Sequence, residues 1–74
     1  MTIEITLKET LENTTLTRNA IAVKAGIRPA TLHEIVNEKS KGITFETLNK
    51  ILDAMNELDT TRTYDIKDIF VYEK

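Results

Sequence analysis

The chain of 74 residues contains no cysteine, which removes disulfides, thiolate nucleophiles and cysteine-based zinc sites together. His33 is the only histidine, and one imidazole makes neither a metal site nor a catalytic pair unaided. Ser40 is the sole serine, and two glycines do not make a phosphate-cradling loop. With no paired-carboxylate site apparent either, an enzyme is the class least expected, and no catalytic residue, cofactor or metal is expected. The longest aliphatic run, residues 20–23, is far short of a membrane span, and Met1, Thr2, Ile3 and Glu4 begin neither a basic nor an apolar leader. The expectation is a soluble, cytoplasmic protein with no membrane partner. Without a secretory signal, the glycosylation sequon at Asn13, Thr14 and Thr15 is accidental.

Basic charge is also scarce, since the net charge is −2. That excludes an indiscriminate nucleic-acid binder, which is basic over its whole surface. The distribution is uneven, however. Residues 16–42 hold Arg18, Lys24, Arg28, Lys39 and Lys41 against Glu34 and Glu38, a balance of +3, whereas the remainder stands at −5.

The length bounds the chain to one domain, residues 1–74, in which every element shares one small core. Residues 2–7 alternate, with Ile3, Ile5 and Leu7 on one side, as in a half-buried strand. Thr6 and Glu9 have capping-box spacing and open a first helix ending near Asn13. Thr17 caps a second helix that Gly26 stops, and Arg28 and Pro29 start a third, because proline at the first helical position loses no hydrogen bond. In that third helix Thr31, Leu32, Ile35 and Val36 face partly inward. Thr44 caps the clearest helix, which runs to about Leu58 with Phe45, Leu48, Ile51, Leu52 and Met55 as its apolar stripe. Asp65 caps a single turn through Asp68, and residues 69–72 form a last strand that pairs antiparallel with the first.

The middle of the chain carries the functional reading. It consists of a short capped helix, a tight turn at Gly26, and a second short helix with a polar, exposed first turn. For the second helix to project into a major groove about 12 Å wide, the two must cross steeply, with small residues where they touch and glycine at the bend. Ala22 and Gly26 supply both. Thr17 and Arg18, then Ile21 and Ala22, then Ala25, Gly26 and Ile27, then Thr31, Leu32, Ile35 and Asn37 resemble the phage-repressor, or XRE, helix-turn-helix family without a gap. Asp68, Ile69 and Phe70 followed by Tyr72 resemble the ending of its short one-domain subgroup, in which terminal strands pair. One departure is that the stretch between Met55 and Asp68 is longer than usual there, as an added turn, a dimer contact or a flexible loop.

The resemblance implies a mostly α, lambda-repressor-like DNA-binding domain of four to five short helices closed by a small antiparallel pairing of N- and C-terminal strands. Its motif would span about residues 17–37, with the recognition helix at about 29–37. Arg18 stands where family members commonly place a glutamine that touches a phosphate and buttresses a base contact. Arg28 is the cap residue of the recognition helix. Pro29, Ala30, Thr31 and Glu34 lie where that helix meets base edges or phosphates, and Asn37, Lys39 and Lys41 follow it, where phosphates approach. His33 is a further candidate for DNA contact. Proline has no side-chain donor and alanine offers only a methyl group, so direct readout is thin. Glu34 either accepts from a cytosine amine or excludes sequences by repulsion. Ordinary surface is the competing reading for these cations, and the better one for Lys24.

The implied function is sequence-specific binding of double-stranded DNA, as a transcriptional repressor working through the major groove. The expected unit is a homodimer reading half-sites about 34 Å apart. No small-molecule ligand is expected, since no separate ligand domain is present. The alternative is a protein-binding module, antitoxin-like or a regulatory partner, that uses residues 69–72 or 59–64 as its interface while the helix-turn-helix is mainly structural.

Overall fold

The computed structural model describes residues 2–37 and 42–73, with the backbone alone described at Thr2 and Glu73. Strand β1, Thr2–Ile5, and strand β2, Phe70–Glu73, pair antiparallel with Ile3 opposite Tyr72 and Ile5 opposite Phe70. Between them come helices α1, Leu7–Glu12; α2, Arg18–Ala25; α3, Pro29–Val36; and α4, Phe45–Leu58; then a 3-10 turn at Ile66–Asp68. None of the helices is long and apolar enough to cross a membrane among the described residues.

The terminal strands meet the helical body at one corner. The amides of Thr6 and Leu7 both donate to the carbonyl of Ile69, at 2.8 and 3.2 Å. The Thr6 hydroxyl donates to the carbonyl of Lys67 and that of Thr10 to the carbonyl of Asp68, each at 2.7 Å. The capping box expected at Thr6 and Glu9 therefore does not form: Thr6 has helix-like backbone angles and makes no cap bond, because its hydroxyl is turned toward the chain's other end. The strand also stops at Ile5, and Leu7 opens α1 as a fully buried residue. At the far end Ile69 closes the 3-10 turn by donating to Ile66 at 2.8 Å, so β2 begins one residue later than its apolar pattern suggests.

Local signals govern the central helices. The hydroxyl of Thr17 accepts from the amide of Ala20 at 3.1 Å, and that of Thr44 from the amide of Thr47 at 3.1 Å, each occupying one of the free donors of a first helical turn. Gly26 ends α2 in the left-handed region at φ 71°, where a side chain would be strained. Its amide donates to Val23 at 3.2 Å and that of Ile27 to Ala22 at 3.0 Å, the paired bonds of a Schellman end. Asp65 caps the 3-10 turn, and Asp68 returns the bond to the Asp65 amide at 2.9 Å.

The core joins Leu7, Leu16, Ile21, Ala22, Leu32, Ile35 and Val36 to Leu48, Ile51, Ala54 and Met55 of α4, with Tyr64 and Ile69 from the C-terminal segment. Three expected inward residues are not there. Ile3 is 65% exposed, because the two-stranded pair extends past the helical body at that end, and only Ile5 of β1 packs against the core. Phe45 is 83% exposed, because it begins α4 one turn before Leu48 enters the core, and periodicity fixes a helix's face without fixing how far its neighbours reach. Thr31 is exposed, at the edge of the buried stripe of α3.

The long stretch after α4 is a structured turn with its own bonds. The Asn56 side chain accepts from the Tyr64 amide at 2.7 Å and donates to the carbonyls of Tyr64 at 3.2 Å and Leu52 at 2.9 Å. The buried Tyr64 donates its hydroxyl to Asp59 at 2.6 Å, and the amide and hydroxyl of Thr61 donate to the other Asp59 oxygen. Arg62 lies 4.6 Å above the Tyr64 ring and 3.2 Å from a carboxylate oxygen of Asp68.

Candidate nucleic-acid interface

Helix α3 is two-faced. Leu32, Ile35 and Val36 face the core, and at about 100° per residue the opposite sector collects Ala30, His33, Glu34 and Asn37, while Pro29, in line with Val36, is exposed at the helix start. All of these are exposed apart from Asn37, which is half-buried. Proline at the first position and Arg28 in extended conformation before it set the helix's start, and the Arg28 carbonyl accepts from the amides of Thr31 and Leu32 at 3.0 and 3.3 Å. Its side chain makes no cap bond and is exposed.

Helix α2 packs against both α3 and α4, and its first residue reaches the outer sector of α3. The Arg18 guanidinium donates to Nδ1 of His33 at 2.8 Å, and Nε2 of the same ring lies 2.8 Å from the side-chain amide of Asn37. Beside this chain a depression of about 350 Å³ is lined by Arg18, Asn19, Pro29, Ala30 and His33. The fold thus brings Arg18, Pro29, Ala30, His33 and Asn37 into one neighbourhood. Glu34 lies in the same outer sector, Arg28 precedes it at the helix start, and Thr31 lies at its margin. Lys39 and Lys41 fall outside the described residues.

Asn19 joins the depression without having been singled out from the sequence. The available signal was its place next to Arg18 in the first turn of α2, where polar side chains stand at a helix's positive end. Lys24 lies 3.5 Å from Glu57 on α4, in keeping with ordinary surface. The surface therefore combines a projecting helix, donors in Arg18 and Arg28, and a helix start built on proline. That combination suits an anionic, grooved partner.

A short helix held by its apolar face against a capped first helix, with a left-handed glycine between them, defines a helix-turn-helix protein. A family model described as the Cro/C1-type HTH DNA-binding domain matches residues 6–74, and the chain belongs to that family. It is thereby a DNA-binding domain of the XRE type. No curated protein and no solved structure matches the chain.

Proposed function

We propose that residues 1–74 act as one helix-turn-helix domain, motif at 17–37, that recognises a specific double-stranded DNA sequence by laying α3 in the major groove. The biological role is transcriptional repression in the cytoplasm, with two copies on a two-fold operator. One observation carries the reading: α3 buries Leu32, Ile35 and Val36 and turns a continuous opposite sector outward, with Arg18 bonded onto it from α2. On this reading Arg18, Arg28, Asn37, Lys39 and Lys41 approach phosphates, and Ala30, Thr31 and Glu34 face base edges or adjacent phosphates. Pro29 shapes the approach of the first turn.

The test is selection from a random duplex library at low salt, then affinity for the winner and a scrambled duplex across a salt series. Enrichment of half-sites one helical turn apart is expected. Arg18→Ala and Arg28→Ala should each flatten the logarithmic salt dependence by about 0.9 for every phosphate contact removed. A library that yields no preferred sequence would overturn the reading.

The protein-binding alternative draws on the cross-strand pair Ile3 and Tyr72, exposed at 65% and 57%. The interfaces first expected for it are narrowed by the fold. Ile69 is fully buried and Tyr64 nearly so, which leaves the exposed Tyr72 and the half-buried Phe70 and Val71 of residues 69–72 and the outer edge of residues 59–63.

A further inference from the structure

His33 sits between two partners that together dictate the tautomer of its neutral ring. A guanidinium carries donors only, so the Nδ1 atom 2.8 Å from Arg18 must present a lone pair. A neutral imidazole then has its single proton on Nε2, which donates to the Asn37 amide 2.8 Å away. Asn37 places its Nδ2 against the ring, so this assignment requires an end-for-end rotation of the amide, which brings its oxygen to Nε2 and leaves its shape unchanged. The chain of bonds runs Arg18, His33, Asn37 and ties the first turn of α2 to the last turn of α3.

An imidazolium breaks this chain. It would set an N–H at Nδ1 against an N–H of Arg18, two like charges in contact with no acceptor between them. Arg18 is the charged group facing the ring from α2. On α3 itself Glu34 lies one residue on without bonding to the ring, and among the described residues no carboxylate pairs with His33.

We propose that His33 is a positioning residue for DNA recognition. Its neutral, Nε2-protonated ring holds the Arg18 guanidinium and the Asn37 amide in fixed relation across the motif, and protonation of the ring releases Arg18 and erodes sequence discrimination. This rests on the duplex-binding reading above. An arginine held in place before DNA arrives loses less freedom on binding than one that must be ordered. Discrimination is the quantity that falls. Total affinity for any duplex rises instead, because an imidazolium adds positive charge beside phosphates.

Two measurements on the full chain test the proposal. Long-range proton–nitrogen correlation spectra of the free protein at neutral pH should show His33 protonated at Nε2 and bare at Nδ1. A proton on Nδ1 overturns the proposal whatever the protein does with DNA. The affinity ratio for the selected against the scrambled duplex is then followed from about pH 8 to about pH 5, the range over which imidazoles change charge, with helicity monitored by circular dichroism. The wild-type ratio should fall roughly threefold to tenfold, the size expected of a directly coupled pair. His33→Gln, whose amide accepts from Arg18 without titrating, should give a ratio that does not change with pH. A wild-type ratio that ignores pH, or an H33Q ratio that falls in parallel, overturns the proposal alone. No preferred duplex at any pH, with the expected tautomer in place, overturns the duplex-binding reading and the proposal with it.

Discussion

Asn56→Ala isolates the turn that follows α4. In the folded protein the Asn56 side chain accepts from the Tyr64 amide at 2.7 Å and donates to the Tyr64 carbonyl at 3.2 Å, matching both backbone groups of one buried residue. At roughly 1 kcal/mol net for each bond, the two come to about 2 kcal/mol. The third bond, to the Leu52 carbonyl, adds little, because that oxygen is already engaged in the helix ladder. Alanine is the better helix former by roughly 0.6 kcal/mol, which leaves a net loss of about 1.5 kcal/mol. In a domain of this size that lowers Tm by roughly 6–12 °C. Urea unfolding followed by circular dichroism reads the loss. Hydrogen exchange locates it, since the Tyr64 amide, deprived of its acceptor, should lose at least about tenfold of its protection and more than the amides of α2, whose loss is bounded by the fall in global stability. A loss below about 0.5 kcal/mol, or a Tyr64 amide that stays protected, would mean that packing of the Tyr64 ring alone holds this segment.

Further expectations concern charge, backbone and core. Donation from the Thr61 hydroxyl, then from the Tyr64 hydroxyl and the Thr61 amide, holds the Asp59 carboxyl below its ordinary value of 3.8. Its contribution to stability is complete above 3.8 and is lost as pH falls through the lowered folded value, so Asp59→Asn should shrink the difference between urea midpoints at about pH 3 and about pH 6. Burial, and then the bond to Asp59, push the Tyr64 hydroxyl above 10.0, so its contribution is complete below that value and is lost as pH rises through the raised one; Tyr64→Phe should remove that alkaline loss. Gly26→Ala should cost about 1 kcal/mol through the left-handed backbone alone, because a Cβ there would meet nothing within 4 Å; a cost near zero in urea midpoints would refute the strained angle. Leu48→Ala should lose roughly 2–5 kcal/mol, and Phe45→Ala should stay within about 0.5 kcal/mol of wild type in the same assay.

The parts of the fold legible in the sequence are those set within a few residues. Thr17, Thr44 and Asp65 cap where their types and spacing place them, Gly26 takes the left-handed turn, and Pro29 opens α3. Each outcome depends on backbone groups within one helical turn, which a linear pattern contains. Thr6 fails by the same logic, because its hydroxyl has a choice between its own helix and the carbonyl of Lys67, a partner 61 residues away. Phe45 fits its stripe by spacing and stays in solvent because burial depends on how far other elements extend. The Asn56, Asp59 and Tyr64 network was illegible for a further reason: its three residues have no shared periodicity, and only the fold makes them neighbours. The candidate interface divides along the same line. The outer sector of α3 follows from the buried spacing of Leu32, Ile35 and Val36, whereas the bond from Arg18 to His33 requires the crossing of two helices.

The same division bears on how an acidic protein would read DNA. Of the cations in residues 16–42, Lys24 is engaged by Glu57, which leaves Arg18 and Arg28 as the described positive groups at the motif, and Arg18 is itself tethered to the His33 ring. The rest of the chain carries −5 and opposes any phosphate that approaches from another side. On the proposed reading, non-specific affinity is therefore weak by construction, since it scales with the number of phosphates neutralised. The complex then depends on a few contacts that are correct only when α3 lies in its groove in one register. A tethered Arg18 fits that arrangement better than a free one, because with few cations available each must be placed before binding for its loss of freedom not to cancel its attraction. Adding charge should therefore have the opposite effect from improving the site. Glu34→Gln, which removes a negative charge from the outer sector of α3 at nearly constant shape, should raise affinity for scrambled duplex more than for the selected one. An equal rise for both duplexes would show that Glu34 only repels phosphate and takes no part in the choice of sequence.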